Sequence, residues 1–405
     1  MICLYQLFSP YMFKRAPKRK TASSTYSLHN IVKLVRGGQD YFDLLETLIV
    51  EAKYSIHVQV YIFDEDETGK RIARALIEAA VRGVKVYILV DGYASKNLSK
   101  DFIDNLLRAG ISFRRFEPIL KSKSFYFGRR LHHKVVVTDG LYCLVAGLNI
   151  SDRYNDVAEA KAWLDWALYA EGEVATTLTR VCVSRYKARL PIMEAPINST
   201  PLNKSDIDRD CAVRVRINDW VRRKREITNS YLEMLTEATS HIIIMSPYFL
   251  PGELIRRRIR QAVNRGVRIR VIQAGISDIG MSKYAERYLY RWLFKNKVEI
   301  FEYQKTVLHG KIAVCDGQWM TVGSYNLNNL SAYASIELNL DVNNPLFAKK
   351  VERCLQKIIE TDCVQITEEV HNKRTNVMEY MLQKASFNLL RMVLFLFTFY
   401  FKQKE

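Results

Sequence analysis

Two stretches of the chain are versions of one another: LHHKVVVTDGLYCLVAGLN at 131–149 and LHGKIAVCDGQWMTVGSYN at 308–326. Each carries a histidine, a lysine two residues later and an aspartate five residues after the lysine, set in β-branched apolar residues. Side chains two apart on a strand project from the same face, so the histidine and lysine of each copy point together. The six residues of the two motifs are His132, Lys134, Asp139, His309, Lys311 and Asp316.

The repetition extends upstream of both motifs. AKYSIHVQVYIF at 52–63 corresponds to ATSHIIIMSPYFL at 238–250, and KVYILVDG at 85–92 corresponds to RIRVIQAG at 268–275. Amphipathic helical segments alternate with these short apolar strands, which predicts βαβ units and a sheet covered on both faces. The sequence therefore predicts an α/β fold: two similar α/β/α sandwich halves related by a pseudo-twofold axis, with the active site between them.

Changes in composition suggest how the chain divides. A connection rich in polar residues, with three prolines, separates the two copies, and basic and apolar segments flank them. We expect a basic N-terminal segment at 1–29, a first half at 30–185, a linker at 186–220, a second half at 221–365 and a helical, membrane-associating tail at 366–405.

Composition narrows the class of partner. Among 405 residues, 61 are Lys or Arg and 43 are Asp or Glu, for a net charge of +18. This excess predicts an anionic partner, whether nucleic acid, a phosphorylated metabolite or a lipid surface. Seven scattered cysteines argue against a disulfide scaffold and a zinc finger. With 48% hydrophobic residues, the chain can bury sizeable cores.

The C-terminal stretch FNLLRMVLFLFTFYF at 387–401 differs from the rest of the chain. On a helix it shows a narrow polar stripe and wide apolar faces, flanked by lysines, but it is shorter than the roughly 20 apolar residues of a membrane-spanning helix. Such a helix suits the membrane interface. The alternative is a helix packed on the protein core or in a dimer contact.

The paired motifs have an evident chemical use if the two halves converge on one pocket. Two ammonium groups, with the amides of Asn149 and Asn326, can bind the non-bridging oxygens of a phosphate. One imidazole can attack phosphorus to give a phosphohistidine, while the other protonates the leaving alkoxide and later deprotonates the incoming alcohol. Because the lysines supply the cations, this chemistry requires no metal and no other cofactor.

Four acidic residues accompany the motifs. Asp139 and Asp316 complete the two motifs, but each precedes a glycine at a turn, so we expect them to fix the loops rather than act on substrate. Asp165 and Glu337 fall in the apolar strands that follow the motifs, where an unpaired carboxylate would be costly. We predict that both orient the histidines; the alternative is a surface acid on an edge strand.

The chain resembles the phospholipase D superfamily, whose mark is the duplicated HxKxxxxD motif, and within it the bacterial cardiolipin synthases. The shared features are YIFDEDETGKRIARAL at 61–76, RGVKVYILVDG at 82–92, GLNISDRY at 147–154 and SPYFLP at 246–251. One departure is Ala146, where the family usually has the first of two glycines. The family motif residues carry over as His132, Lys134, Asp139, Asn149, His309, Lys311, Asp316, Ser324 and Asn326.

The resemblance implies transfer of a phosphatidyl group between phospholipids, as when two phosphatidylglycerols give cardiolipin and glycerol. It makes His132 the nucleophile and His309 the acid and base, roles that the sequence itself does not separate, and adds Ser324 to the phosphate-binding residues. A phospholipase D-type hydrolase or nuclease of the same fold is the alternative. Nucleic acid is disfavoured because a nuclease has no need of the apolar tail and no interleaved aromatic and basic stretch is suited to stacking single strands.

Membrane attachment is expected without the N-terminal transmembrane pair of many cardiolipin synthases. The basic clusters at 14–20, 222–225 and 256–258, together with the tail at 387–401, can supply attraction to anionic lipid. The resemblance then places the protein at the cytoplasmic face of the bacterial inner membrane.

Overall fold

The computed structural model describes residues 25–117, 129–158, 160–186, 208–328, 331 and 335–402. The N-terminal basic cluster at 14–20 therefore lies outside the described residues, as do the side chains from 394 to the C-terminus.

The first half alternates strands and helices as the sequence predicts. Its elements are β1 (Ser27–Arg36), α1 (Gln39–Glu51), β2 (Ser55–Val60), α2 (Glu67–Val81), β3 (Lys85–Asp91), α3 (Lys100–Arg108), β4 (Ser112–Phe116), β5 (Arg130–Leu131), β6 (Lys134–Thr138), β7 (Tyr142–Ala146), β8 (Trp166–Gly172) and α4 (Glu173–Tyr186).

The second half repeats this order and adds two C-terminal helices. Its elements are β9 (Asp208–Asp219), β10 (Lys224–Arg225), α5 (Glu226–Glu237), β11 (His241–Met245), α6 (Glu253–Asn264), β12 (Arg268–Ala274), α7 (Gly280–Lys295), β13 (Glu299–Tyr303), β14 (Ile312–Cys315), β15 (Trp319–Gly323), β16 (Ser335–Asn343), α8 (Pro345–Asp362), β17 (Cys363–Ile366), α9 (Glu368–Arg374) and α10 (Val377–Lys402).

Local signals in the sequence explain several helix ends. The Asp66 side chain accepts the amide of Gly69 at the start of α2, and Asn344 caps α8 in the same way by accepting the amide of Phe347. After α2 and α6 the repeated Arg-Gly-Val places Gly83 and Gly266 at φ of 96° and 93°, a left-handed conformation that glycine adopts without strain. The same helix end is thus used in both copies.

Strand pairing shows the pseudo-twofold relation directly. The ladders run β4-β3-β2-β6-β7-β8-β1 in the first half and β13-β12-β11-β14-β15-β16-β9 in the second. The two orders are equivalent, and the halves join where β1 pairs antiparallel with β9. β17 extends the second half beyond β13.

Strand β9 lies within the range that was expected to be a linker. The range 186–220, expected to be a linker, includes a twelve-residue strand that pairs along its length with β16. Because β9 occupies in the second half the place that β1 occupies in the first, we propose that the second half begins at this strand. Residues 187–207 lie outside the described residues.

A central hydrophobic core joins the two halves, and each half has a further core of its own. The central core combines the inner faces of both half-sheets with α4 and α8, including Val145, Leu168, Ile312 and Leu340. A second core lies between the first half-sheet and α1, α2 and α3, and a third between the second half-sheet and α5, α6 and α7. The fold is therefore α/β with helices on both faces of each half, and the central core fixes one half against the other.

The C-terminal helix α10 packs on α7 along one face. Phe387 contacts Tyr288 with ring centroids 4.9 Å apart, and the Arg291 guanidinium lies 4.4 Å from the Tyr380 ring centroid. The opposite face exposes Met378 and Met381, which are 80% and 63% exposed. The described part of the tail thus has one packed face and one open apolar face.

Candidate active site

The backbone of each motif is anchored to the opposite half of the molecule. The amide of His132 donates to the carbonyl of Ile336 at 3.0 Å, and the amide of His309 donates to the carbonyl of Leu164 at 2.8 Å. β5, just before the first motif, pairs in parallel with the start of β16. Both histidines are therefore positioned at the seam between the halves, immediately before β6 and β14.

Each histidine side chain bonds a carboxylate from the other half. His132 Nδ1 lies 3.0 Å from Glu337 Oε2, and His309 Nδ1 lies 2.6 Å from Asp165 Oδ2. Both carboxylates are fully buried, while the side chains of His132 and His309 are 19% and 9% exposed. Since Nδ1 is engaged in both rings, Nε2 is the nitrogen available to a substrate.

The two carboxylates are held by different groups. Glu337 Oε2 accepts the hydroxyl of Ser324, and that hydroxyl oxygen accepts the amide of Leu338 at 3.1 Å. Asp165 Oδ1 instead accepts the amide of Trp166 at 2.7 Å. Gly147, the counterpart of Ser324 in the repeat, leaves space for Asp165, because a Cβ there would lie 2.3 Å from its Oδ1.

The two motif lysines are buried beside the histidines. Lys134 Nζ donates to the carbonyl of His132 at 2.6 Å and lies 5.2 Å from the Tyr61 ring centroid. Lys311 Nζ donates to the carbonyl of His309 and lies 2.8 Å from Nδ1 of the same residue. The site thus combines two imidazoles, two ammonium groups and two carboxylates.

Burial and mutual charge shift the ionisation of these groups. Burial lowers the pKa of Lys134 to about 7 and that of Lys311 to about 8, although the nearby carboxylates oppose the shift. Burial also lowers the pKa of both histidines, more strongly for His309, where the two lysines add to the effect. Both lysines therefore titrate closer to neutral pH than an isolated lysine. Both histidines favour the neutral imidazole.

The carboxylates shift in opposite directions. Burial raises the pKa of Asp165 to about 7 against the attraction of Lys311. Burial also acts to raise the pKa of Glu337, but the charges of His132 and Lys134 and the hydrogen bond from Ser324 outweigh it and lower the pKa. Near neutral pH the Asp165 carboxyl group therefore holds a proton in part of the molecules, whereas the Glu337 carboxylate is ionised.

Asp139 and Asp316 take no part in this cluster. Asp139 accepts the amides of Lys53, Tyr54 and Ser55 at 2.8–2.9 Å. Asp316 binds the loop before β11 in the same way, through the amides at 239–241. Both aspartates bind loop backbone through hydrogen bonds, as expected from the Asp-Gly turns.

The predicted phosphate-binding residues differ in how they are used. Asn149 Oδ1 accepts the amide of Ile62 at 3.0 Å and its Nδ2 donates to Tyr154 Oη at 2.9 Å. Asn326 is 5% exposed, and its Oδ1 has no partner among the described residues. The Ser324 hydroxyl donates to the Glu337 carboxylate.

Aromatic side chains around the histidines are absent from the sequence-based prediction. The Tyr61 ring centroid lies 4.7 Å from that of His132, and Tyr154 and Trp163 lie 5.1 Å and 6.0 Å from that of His309. Tyr61 directly follows β2, and Tyr154 closes the GLNISDRY stretch. Their positions just after a strand and after motif residues could have indicated a place in the site. Aromatic residues at such positions are also typical of a hydrophobic core, so the sequence did not single them out.

In the described ranges, no group of three or more His, Cys, Asp or Glu side chains is arranged to hold a metal ion. Within the same part of the chain, no helix combines the length and apolar character needed to cross a bilayer.

This fold and this duplicated His-Lys site define a phospholipase D-like class of protein, and comparison with known families gives the same result. A family model described as "Cardiolipin synthase, PLD-like domain" matches residues 45–165 and 231–359, more than half of the chain. The chain is 33% identical to cardiolipin synthase B of Salmonella typhi over 349 residues, covering 85% of this chain and 84% of that protein. The chain belongs to the PLD-like cardiolipin synthase family.

More distant relatives agree. The chain is 28% identical to a cardiolipin synthase of Oceanobacillus iheyensis over 362 residues, covering 88% of this chain and 74% of that protein. The solved structure of phosphatidylserine synthase from Haemophilus influenzae matches with a TM-score of 0.70 at 15% identity, covering 90% of this chain and 95% of that one. At that identity the structural match supports the fold alone.

Proposed function

We propose that this protein is a cardiolipin synthase that transfers the phosphatidyl group of one phosphatidylglycerol to another, releasing glycerol. The observation that carries the proposal is the crossed pair of His–carboxylate contacts, which sets two imidazoles and two lysines in one site. The family relationship supports the lipid substrate, since the matched proteins bear the name cardiolipin synthase.

His132 is the proposed nucleophile. Its neutral ring, favoured by the lowered pKa, presents Nε2 while Glu337 holds the proton on Nδ1. In the first step a bond forms between Nε2 and phosphorus, and the bond from phosphorus to the glycerol oxygen breaks. Glu337 stabilises the positive charge that develops on the ring.

His309 is the proposed acid and base. His309 Nε2 donates its proton to the departing glycerol oxygen, while His309 Nδ1 takes up the proton that Asp165 holds near neutral pH because its pKa is raised to about 7. In the second step His309 takes the proton of the incoming hydroxyl. The hydroxyl oxygen then bonds phosphorus, the bond to His132 breaks and cardiolipin is released.

Lys134 and Lys311 are proposed to neutralise the non-bridging phosphate oxygens as phosphorus becomes five-coordinate. Their burial makes the attraction strong, because few water molecules screen it. Asn326, with an unpartnered Oδ1 among the described residues, and the remaining Nδ2 hydrogen of Asn149 are the proposed additional contacts to the substrate. The proposal assigns no step to a metal or another cofactor.

Membrane association is proposed through the open apolar face of α10 and exposed basic side chains. In the 256–258 cluster Arg256 pairs with Glu253 at 2.5 Å, which leaves Arg257, an exposed residue, better placed to face lipid. Arg222 lies 3.9 Å from Asp219 and Lys224 lies 3.4 Å from Glu226. The cluster at 222–225 is thus partly neutralised. The proposed location is the cytoplasmic face of the bacterial inner membrane.

The proposed function is tested with purified protein and phosphatidylglycerol vesicles. We expect release of glycerol with formation of cardiolipin, loss of at least about 10³-fold in rate for His132→Ala and for His309→Ala, and a phosphatidyl adduct on His132 after rapid quenching in alkaline denaturant, in which a phosphorus–nitrogen bond to imidazole survives. Leu346→Gln, on an exposed residue, is the control. Inert vesicles with cleavage of an oligonucleotide would instead identify a nuclease, and product formation that survives both histidine variants would overturn the mechanism.

A further inference from the structure

A second polar cavity lies away from the seam, where the C-terminal helices meet the second half. It has a volume of about 290 Å³, far more than the roughly 30 Å³ that one water molecule takes in the liquid. α7, β13, α9 and α10 surround it. The lining side chains that matter here are Arg287, Glu302, His371, Arg374, Glu379 and Gln383.

Two buried side chains lack partners in this cavity. His371 and Gln383 are 4% and 2% exposed, yet His371 Nε2 and Gln383 Oε1 have no hydrogen-bond partner among the described residues. The His371 ring packs on Tyr290 and Phe294, with centroids 5.5 Å and 5.9 Å apart. Buried polar atoms are nearly always paired, so these two atoms indicate an occupant.

The charges of the lining favour an anion. Glu302 is already satisfied by Lys283 Nζ at 2.8 Å and by the hydroxyl of Tyr290 at 2.8 Å. Arg287 lies 3.6 Å from the same carboxylate through Nε, and Arg374 enters from the last turn of α9. Two guanidinium groups at the rim of a cavity form a site for a phosphate.

The remaining acceptors call for hydrogen-bond donors on the same ligand. Glu379 and Gln383 are four residues apart on α10 and both line the cavity, which places a carboxylate and an amide oxygen side by side. A phosphate ester that carries a hydroxyl or ammonium group satisfies the two arginines and these acceptors together.

The surroundings indicate a lipid as the source of that ester. Leu382, next to Gln383 on α10, is 45% exposed, and Met378 and Met381, on the open face of the same helix, are 80% and 63% exposed. We propose that the cavity binds the headgroup of a bilayer glycerophospholipid, with the phosphate between Arg287 and Arg374 and the headgroup donors at Gln383 and Glu379. The acyl chains then pass Leu382 toward the exposed methionines on the open face of α10. This inference rests on the proposed membrane association.

The test compares charge-matched variants of the full chain. Arg287→Gln/Arg374→Gln is expected to reduce affinity for phosphatidylglycerol vesicles by about tenfold or more. Lys349→Gln/Lys357→Gln removes the same charge from exposed positions on α8 and is expected to change it less than about twofold. Equal losses in the two variants, or no loss in either, would overturn the proposal.

A second measurement separates a lipid headgroup from a free phosphate ester. Soluble glycerol 3-phosphate, mixed with the full chain without vesicles, is expected to leave the unfolding temperature unchanged at micromolar concentration. If glycerol 3-phosphate raised the unfolding temperature of the wild type but not that of the arginine variant, the cavity would bind a soluble phosphate ester. That result would overturn the proposal of a bilayer lipid. Gln383→Leu, which removes one acceptor and keeps the charge, is expected to weaken vesicle binding several-fold; unchanged binding would show a cavity filled by water alone.

A separate assay distinguishes failure of the proposed headgroup site from failure of the proposed transferase activity. Cardiolipin formation is measured in detergent micelles, where capture of the enzyme by a bilayer is not required. We expect the arginine variant to match the wild type in that assay. A wild type without activity would contradict the transferase, whereas an active wild type with unselective vesicle binding would contradict only the headgroup site.

Discussion

Ser324 and Gly147 stand at the same place relative to their motif lysines, but they act differently. The Ser324 hydroxyl bonds Glu337, whereas Gly147 makes room for Asp165. This difference gives the two histidines unlike carboxylate partners within an otherwise repeated site. We infer that it helps divide the roles of nucleophile and proton carrier between them.

Removing the Ser324 hydroxyl tests its role. Ser324→Ala is expected to lower kcat about tenfold with little change in KM, because a hydrogen bond to a charged group contributes about 1.5–3 kcal/mol and the hydroxyl contacts Glu337 rather than substrate. The exposed hydroxyl of Thr236 provides the control variant Thr236→Ala. A change confined to KM would instead place Ser324 on the phosphate, as the sequence motif predicts.

The buried lysines predict the pH dependence. Their pKa values, lowered to about 7 for Lys134 and about 8 for Lys311, mean that positive charge is lost as pH rises through this range. We therefore expect kcat/KM for cardiolipin formation to fall on the basic side of neutrality. A bound phosphate favours the charged lysines, so the corresponding limb of kcat lies at higher pH.

The two pH profiles are measured by steady-state kinetics, with thermal unfolding at each pH as the control for folding. A kcat/KM that stays flat or rises between about pH 7 and pH 9 would contradict the role of the lysines in binding the phosphate.

At the scale of elements, the position of α10 bears on membrane binding. Its packed face includes the buried Gln383 and Ser386 and the contact of Phe387 with Tyr288. A truncation at 386 would therefore uncover part of α7, so point variants on the open face give a cleaner test than the deletion.

Met378→Gln/Met381→Gln is expected to weaken binding to phosphatidylglycerol vesicles at least about tenfold, because each exposed side chain would otherwise bury apolar surface worth about 25 cal/mol per Å². Val81→Gln/Leu346→Gln changes two side chains that are 76% and 72% exposed elsewhere and serves as the matched control. Vesicle sedimentation that gives the same affinity for both variants would contradict the assignment of this face.

Strand β9 is an element that the sequence did not predict. Cys211, Val213, Val215 and Ile217 alternate with polar residues in a two-residue period and are buried, but the prolines just upstream favoured an irregular connection. The arginines between them are held by acids from other elements, as in the contact of Arg214 Nε with Asp341 at 2.9 Å. The sequence of the segment alone does not contain those partners.

For the whole molecule, a buried ion cluster links β9 to the first half. Asp219 is fully buried and lies 3.0 Å from Arg129 Nη2 and 2.7 Å from Arg185 Nη1. Asp219→Asn is expected to lower the free energy of unfolding by about 3–5 kcal/mol, because it removes the carboxylate shared by two buried guanidinium groups, of which Arg129 keeps its pair with Glu117.

Denaturant unfolding measures the effect of Asp219→Asn. Glu299→Gln, at the mainly exposed pair with Arg268, is the control and is expected to change the free energy by less than about 1 kcal/mol. Similar values for both variants would show that the cluster does not stabilise the joined halves.

The repeat identified the chemical groups of the site but not their partners. Two His-x-Lys motifs on equivalent strands were sufficient to predict a shared pocket, and Asp165 and Glu337 were sufficient to suggest orienting carboxylates. That each carboxylate serves the histidine of the other half depends on how β5 and β16 pair across the seam. Such pairing is set by the packing of the halves, which no local pattern encodes.

The crossed contacts are tested most directly by ¹⁵N NMR of the histidine side chains, since the chain has seven histidines and His→Ala variants can assign them. Asp165→Asn is predicted to shift the ring nitrogens of His309 and leave those of His132 unchanged, and Glu337→Gln is predicted to do the reverse. If Asp165→Asn shifted His132, or if neither variant shifted the expected ring, the account of one site shared by both halves would be contradicted.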